Sequence, residues 1–200
     1  MDCFKITTLI LGLGVIALSI STLTYRNSKL VECDVQTVNA TFSFGFLGVT
    51  YSLKKIQPEK STTQQISYTD RSMISSDQAN TITSLTYPSF GLLITVATLV
   101  TVLLFLFFFE ILYSSKIIGF LLILIIVFTV VATGLAMNLL SAGSDFINNL
   151  FNVTSSCALE IGNDLLLGVF VAMCLFVISA FVFMRNKGLF TYSGPSYSKV

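Results

Sequence analysis

The sequence predicts a membrane protein of the all-α class: a four-helix transmembrane bundle carrying a small extracellular antiparallel β-sheet. Three observations predict it. Only 10% of the 200 residues are charged, against about 25% in soluble domains. Four apolar runs are each long enough to cross about 30 Å of hydrocarbon, which takes roughly 20 helical residues. The connection between the first two runs alternates apolar and polar residues, the period of a strand rather than a helix.

The runs are Phe4–Tyr25, Phe90–Tyr113, Ile117–Leu140 and Leu165–Met184. They divide a single four-span domain, residues 1–200, into spans 4–25, 90–113, 117–140 and 165–184. Glu110 is the one acidic residue inside them and Lys5 the one basic residue. The first run shares some marks of a secretory signal peptide: Lys5 at its start and the small residues Ala17-Leu18-Ser19. Its apolar character continues through Ile20 and Leu23 to Tyr25, so an uncleaved span is expected.

Charge near the span ends sets the expected orientation. The short ends and the turn carry Lys5, Lys116, Arg185, Lys187 and Lys199 against Asp2 alone. The 141–164 connection carries Asp145, Glu160 and Asp164 and no base. Both termini, the 114–116 turn and the 185–200 tail are therefore expected in the cytoplasm. Loops 26–89 and 141–164 are expected outside, at the plasma membrane. The long loop has bases of its own, but long translocated loops count little under this rule. The short turn forces spans two and three into an antiparallel hairpin.

Within the long loop, 31-VECDVQTV-38 sets Val31, Cys33, Val35 and Thr37 against Glu32, Asp34 and Gln36. In 42-FSFGFLGVTYSL-53, Phe42, Phe44 and Phe46 share one parity, and Leu47, Val49, Tyr51 and Leu53 the other. The phase changes beside Gly45 and Gly48, which predicts a bulge or tight bend between two strand pieces. Three strands with a common apolar face are about the minimum for a stable sheet. The polar stretch Gln57–Asn80 reads as a tip or irregular crossover. There, Ser75 and Gln78 are placed as reciprocal caps of a short helix. Pro88 suits the first turn of span two.

This layout resembles the claudin and peripheral-myelin-protein superfamily of four-span proteins. The stretch 21-STLTYRN-27 is similar to the Ser/Thr-rich exit with an aromatic residue and Arg that claudins show after span one. Gly45-Phe46-Leu47 sits about where the family places Gly-Leu-Trp, and Asp77–Leu85 matches a short outer helix before span two. The chain has no Trp and lacks the family's pair of cysteines within the first loop. The resemblance implies self-association or partner binding, and a role known in the superfamily is escort of a channel or receptor.

Four cysteines are present: Cys3, Cys33, Cys157 and Cys174. Cys33 follows span one and Cys157 precedes span four, both on the oxidising side, so a disulfide between the two loops is expected. Two unpaired thiols, or bonds to another subunit, are the alternatives. Cys3 is a juxtamembrane thiol and Cys174 a mid-span packing residue. Glycosylation sequons begin at Asn39 and Asn152, one in each outer loop. Glu110 reads as an interfacial carboxylate within reach of Lys116, and Asn138 as an interhelical hydrogen-bonding group. Gly12, Gly14, Ala132, Gly134, Ala136, Gly168 and Ala172 are small residues expected at helix contacts. Ser198 and Val200 at the C-terminus fit a PDZ ligand.

No catalytic constellation appears, and there is no His to supply one. Neither an enzyme nor a cofactor is expected, and spans without midplane polar groups argue against a transporter. A net charge of +1 points to no nucleic-acid partner. The expected partners are the lipid bilayer, other copies or another membrane protein, and a PDZ-type scaffold. The expected function is membrane organisation or cell–cell adhesion, with Phe42, Phe44 and Phe46 as the interaction surface. The alternatives are an auxiliary subunit that escorts a channel or receptor, and an oligomeric pore-former. If the sheet instead turned that face onto its own helix ends, changes to the rings would cause misfolding.

Overall fold

A backbone in hydrocarbon must satisfy its own polar groups, and each apolar run does so as a helix. A computed structural model of the chain describes residues 3–24, 29–35, 40–46, 48–53, 62–67, 76–109, 115–151, 156–159 and 161–187. The elements run α1 (Cys3–Thr24), β1 (Val31–Val35), β2 (Ala40–Phe44), β3 (Gly48–Leu53), β4 (Thr62–Ser67), α2 (Ser76–Phe108), α3 (Ser115–Phe151), β5 (Ser156–Leu159) and α4 (Ile161–Asn186). All four helices are long and apolar enough to cross a membrane. Their outward residues are greasy too: Ile10, Leu13, Phe105, Ile123 and Ile178 are all exposed. That surface suits lipid, not water.

The helices close into a ring in which α1 packs on α2 and α4, and α3 on α2 and α4. The buried stripe of α1 is Thr8, Gly12, Val15, Ser19 and Thr22, a spacing of three and four that keeps one face inward. At Gly12 the approach to α2 is close. A Cβ there would sit 2.5 Å from Leu104 Cδ2 and 2.9 Å from its Cγ. Ala132 and Ala136 are buried as expected of contact residues, and Gly168 lies beside Leu18. Gly14 and Gly134 are different: nothing lies within 4 Å of a Cβ on either, so they face outward rather than a neighbouring helix. Asn138 is exposed, and among the described residues its side chain forms no hydrogen bond to another helix.

Two helices outrun their expected spans. The α2 helix begins at Ser76 rather than near Phe90, so the short outer helix and span two are one element, with Pro88 inside it. Proline removes one helical hydrogen bond. Nearby hydroxyls take up carbonyls in the turns around it: Thr83 donates to Asn80 O, Ser84 to Thr81 O and Thr86 to Ile82 O. The α3 helix has 37 residues and runs on to Phe151. At 1.5 Å per residue it is about 55 Å long, well beyond the hydrocarbon thickness. Its extra turns bury Leu139, Gly143, Phe146 and Ile147 along one face and leave Asp145 and Asn149 exposed. The extension is amphipathic, and it carries the sheet.

The sheet has five strands in the order β4-β3-β2-β1-β5, every pair antiparallel. The predicted bend is present: Gly45 N–H donates to Gly48 O at 3.0 Å, closing the turn between β2 and β3. Register then aligns Val31 with Phe44, Cys33 with Phe42, and Phe44 with Val49, so the apolar positions share one face. Two strands were not expected. The β4 strand falls in the polar stretch read as a tip or crossover, and β5 in the second loop; both are held by pairing to a neighbour rather than by apolar pattern.

Candidate functional site: the sheet, its aromatic face and its outer edge

The apolar face of the sheet is not an open surface. Phe44 is fully buried, Phe46 is 2% exposed and Phe42 is 9% exposed. The Phe44 ring meets the Phe146 ring edge-on, with centroids 5.8 Å apart and planes at 86°. It also lies over Gly143, where a Cβ would stand 3.2 Å from Phe44 Cε2. Phe46 packs against Phe90, centroids 6.0 Å apart. The expected interaction surface of Phe42, Phe44 and Phe46 is therefore corrected: the rings seat the sheet on α2 and α3. The physical reason is the extension of α3, which brings apolar groups under a face that would otherwise meet water.

Cys33 and Cys157 form a disulfide. They are directly opposed residues of β1 and β5, their Cα atoms 4.0 Å apart. The bridge thus ties the strand from the second loop to those of the first, which disposes of the two alternatives left open for these thiols. Cys3 is a free, exposed thiol and Cys174 a free, half-buried one.

The polar residues of β1 and β2 satisfy one another. Lys29 Nζ pairs with Glu32 Oε2 at 2.6 Å, and Ser43 Oγ donates to the same oxygen at 3.3 Å. Thr41 Oγ1 donates to Asp34 Oδ1 at 2.6 Å. Among the described residues no group of three or more His, Cys, Asp or Glu is placed to hold a metal ion.

The margins of the sheet differ. The β5 strand has four residues and lies against α3. The β4 strand has six, Thr-Thr-Gln-Gln-Ile-Ser, with no charge and no proline. Among the described residues no strand pairs with its outer side. Such a margin presents a row of backbone N–H and C=O groups, and natural sheets usually guard it with Lys, Pro, a bulge or a very short strand. The β4 sequence carries neither of the two residue types.

Asn39, Asn152, Glu110, Ser75, Ser198 and Val200 lie outside the described residues. Lys116 is exposed at the end opposite the sheet. Sequence reasoning missed the β4 margin because its residues show no apolar alternation. It also missed a bond between α1 and α4, where Thr8 Oγ1 and Ser179 Oγ stand 2.8 Å apart. The signal for that bond was present, since hydroxyls within spans tend to bond across helices. No protein family's sequence profile matches the chain, and no characterised protein matches it in sequence.

Proposed function

We propose that this chain is a non-enzymatic plasma-membrane protein that associates with neighbouring copies through the edge of its extracellular sheet, in membrane organisation or cell–cell adhesion. The observation that carries the proposal is the β4 margin, an uncharged strand of six residues with no partner strand on its outer side among the described residues. The aromatic face is already used inside the chain, which leaves backbone pairing as the means of contact. Two β4 strands meeting antiparallel form the same contact from both sides, a two-fold arrangement. Main-chain hydrogen bonds then supply the affinity. The other margin is short and lies against α3, so one usable edge per chain closes the assembly at two copies.

Charge supports the orientation. Lys5, Lys116, Arg185 and Lys187 lie at the end away from the sheet, whereas Glu32, Asp34, Asp77, Asp145 and Asp164 lie at the sheet end with Lys29. Bases collect on the cytoplasmic side, and a disulfide suits the oxidising side. The four-helix layout with a sheet drawn mainly from the first connection also supports a distant place in the claudin and peripheral-myelin-protein plan. Glycans at Asn39 and Asn152 and a PDZ-type scaffold at Ser198 and Val200 belong to the same proposal.

The test uses two differently tagged copies expressed together. Gln64→Lys combined with Gln65→Lys puts like charges where the two edges meet, which disfavours cross-strand pairing. Co-precipitation of the copies should fall to background, while insertion and the Cys33–Cys157 bond are kept. Undiminished co-precipitation would remove the edge from the proposal. A chain found only with a different membrane protein would favour the escort role.

A further inference from the structure

The outward side of the α1–α2 pair carries a groove of about 420 Å³, within the roughly 300–1,000 Å³ of ligand sites. Leu9, Leu13 and Ile16 form its α1 wall, and Thr101, Phe105 and Phe108 its α2 wall. Gly12 brings the two helices together at Leu104, which lines the floor. The one hydroxyl in the lining is turned onto its own helix, since Thr101 Oγ1 donates to Ala97 O at 2.7 Å. The surface offered is therefore hydrocarbon. Phe105 also packs on Phe109, ring centroids 4.5 Å apart, so a second ring braces the α2 wall.

Its length and its position along the bundle are set by the helices. From Leu9 to Ile16 the groove covers about 10 Å of α1, and from Thr101 to Phe109 about 12 Å of α2. One leaflet of hydrocarbon is about 15 Å thick, half of the usual core, so the groove fits within a single leaflet. Lys5 precedes Leu9 by four residues in α1, which puts it on the same helix face, about 6 Å beyond the end of the groove. By sequence this end of the bundle carries Lys5, Lys116, Arg185, Lys187 and Lys199 against Asp2 and Glu110. The open end of the groove thus lies in a positive field.

These two features select the occupant. An apolar groove within one leaflet takes an alkyl chain, and a base at its open end takes the anion that a phospholipid carries there. The cytoplasmic surface of a membrane supplies such lipids. A sterol would fill the groove but bring only a hydroxyl to Lys5, and a second copy standing parallel would bring its own bases to the same end. We propose that the α1–α2 groove holds one chain of an anionic phospholipid of the cytoplasmic leaflet, with Lys5 on its headgroup. The Lys5 ammonium has three donors to share with a phosphate or carboxylate. The leaflet rests on the orientation given under the proposed function; the groove and its base do not.

The chain has no Trp, so a single introduced Trp reports its own surroundings. Phe105→Trp puts one in the groove. Phe120→Trp puts one on α3, where the native ring is 61% exposed, about 6 Å along the helix from Lys116. Each full-length variant is placed in phosphatidylcholine vesicles containing brominated phosphatidylserine or brominated phosphatidylcholine, and quenching of the Trp gives the relative occupancy. Phosphatidylserine should be preferred about fivefold in the Phe105→Trp chain, the effect of one base on an anionic lipid, and not in the Phe120→Trp chain. Adding Lys5→Gln to Phe105→Trp should abolish the preference, and Lys5→Arg should keep it. Equal quenching by the two lipids in the Phe105→Trp chain, or a preference that survives Lys5→Gln, would overturn the proposal. So would a brominated sterol that quenches the Phe105→Trp chain more than either phospholipid. Orientation is read separately, with a membrane-impermeant maleimide on intact cells expressing the chain, since Cys3 is a free, exposed thiol. Labelling of Cys3 from outside would overturn the orientation and the leaflet, whereas vesicles alike in both leaflets test the groove alone.

Discussion

Replacing Phe44 with alanine is expected to lower the stability of the chain by about 3–5 kcal/mol, as for other large aromatic side chains removed from a core. The ring is fully buried between the sheet and α3. It fills the space left by the absent side chain of Gly143 and meets Phe146 edge-on. Its removal takes away burial from water and leaves a cavity that the surrounding structure closes only in part. Phe44→Leu should cost less, since most of the volume is kept. Phe105→Ala, with its ring 57% exposed on the lipid side, should change stability by no more than about 0.5 kcal/mol. Thermal unfolding in detergent measures all three. A Phe44→Ala chain with unchanged stability that fails only to associate would restore the rings as a contact surface.

Removing the disulfide is the second large effect. Changing Cys33 and Cys157 together to serine should cost about 2–5 kcal/mol, the usual range for a native bridge. The bond joins residues 124 apart in sequence and holds a strand of only four residues. Among the strands, β5 pairs with β1 alone. Without the bridge, a four-residue ladder must hold the second loop against its own conformational freedom. The double variant and the reduced wild-type chain should therefore unfold at the same lowered temperature. Unchanged unfolding in either would mean that the bond contributes little. Covalent dimers of the unreduced chain would mean that these thiols also join subunits.

The spans were legible because hydrocarbon thickness sets their length, and that constraint needs no tertiary information. Their ends were not, because hydropathy marks the membrane and not the helix. In α3, Leu139, Phe146 and Ile147 carry helical spacing past Leu140, but Ser141, Ser144 and Asp145 between them read as loop. That misplacement hid Gly143 and Phe146, the part of the support that α3 supplies. The parity of Phe42 and Phe44, and the break at Gly45, revealed an apolar face and a bend. Parity cannot say what covers the face, since the covering residues Phe90, Gly143 and Phe146 belong to other elements far along the chain. The Cys33–Cys157 pair was legible from topology, as two cysteines on one side of the membrane near adjacent helix ends. The β4 strand was not, because Thr-Thr-Gln-Gln-Ile-Ser owes its conformation to the ladder with β3. Asn163 looked like a loop residue ahead of span four. Its turn is anchored by Gly162 N–H on Lys29 O, a contact that only the folded chain brings about.

The most direct measurement is the protein mass of the gently solubilised chain by light scattering, beside a denaturing gel run without reductant. Pairing through β4 predicts the mass of two chains in mild detergent, one chain for Gln64→Lys with Gln65→Lys, and a single-chain band on the gel. A wild-type mass of one chain would contradict it.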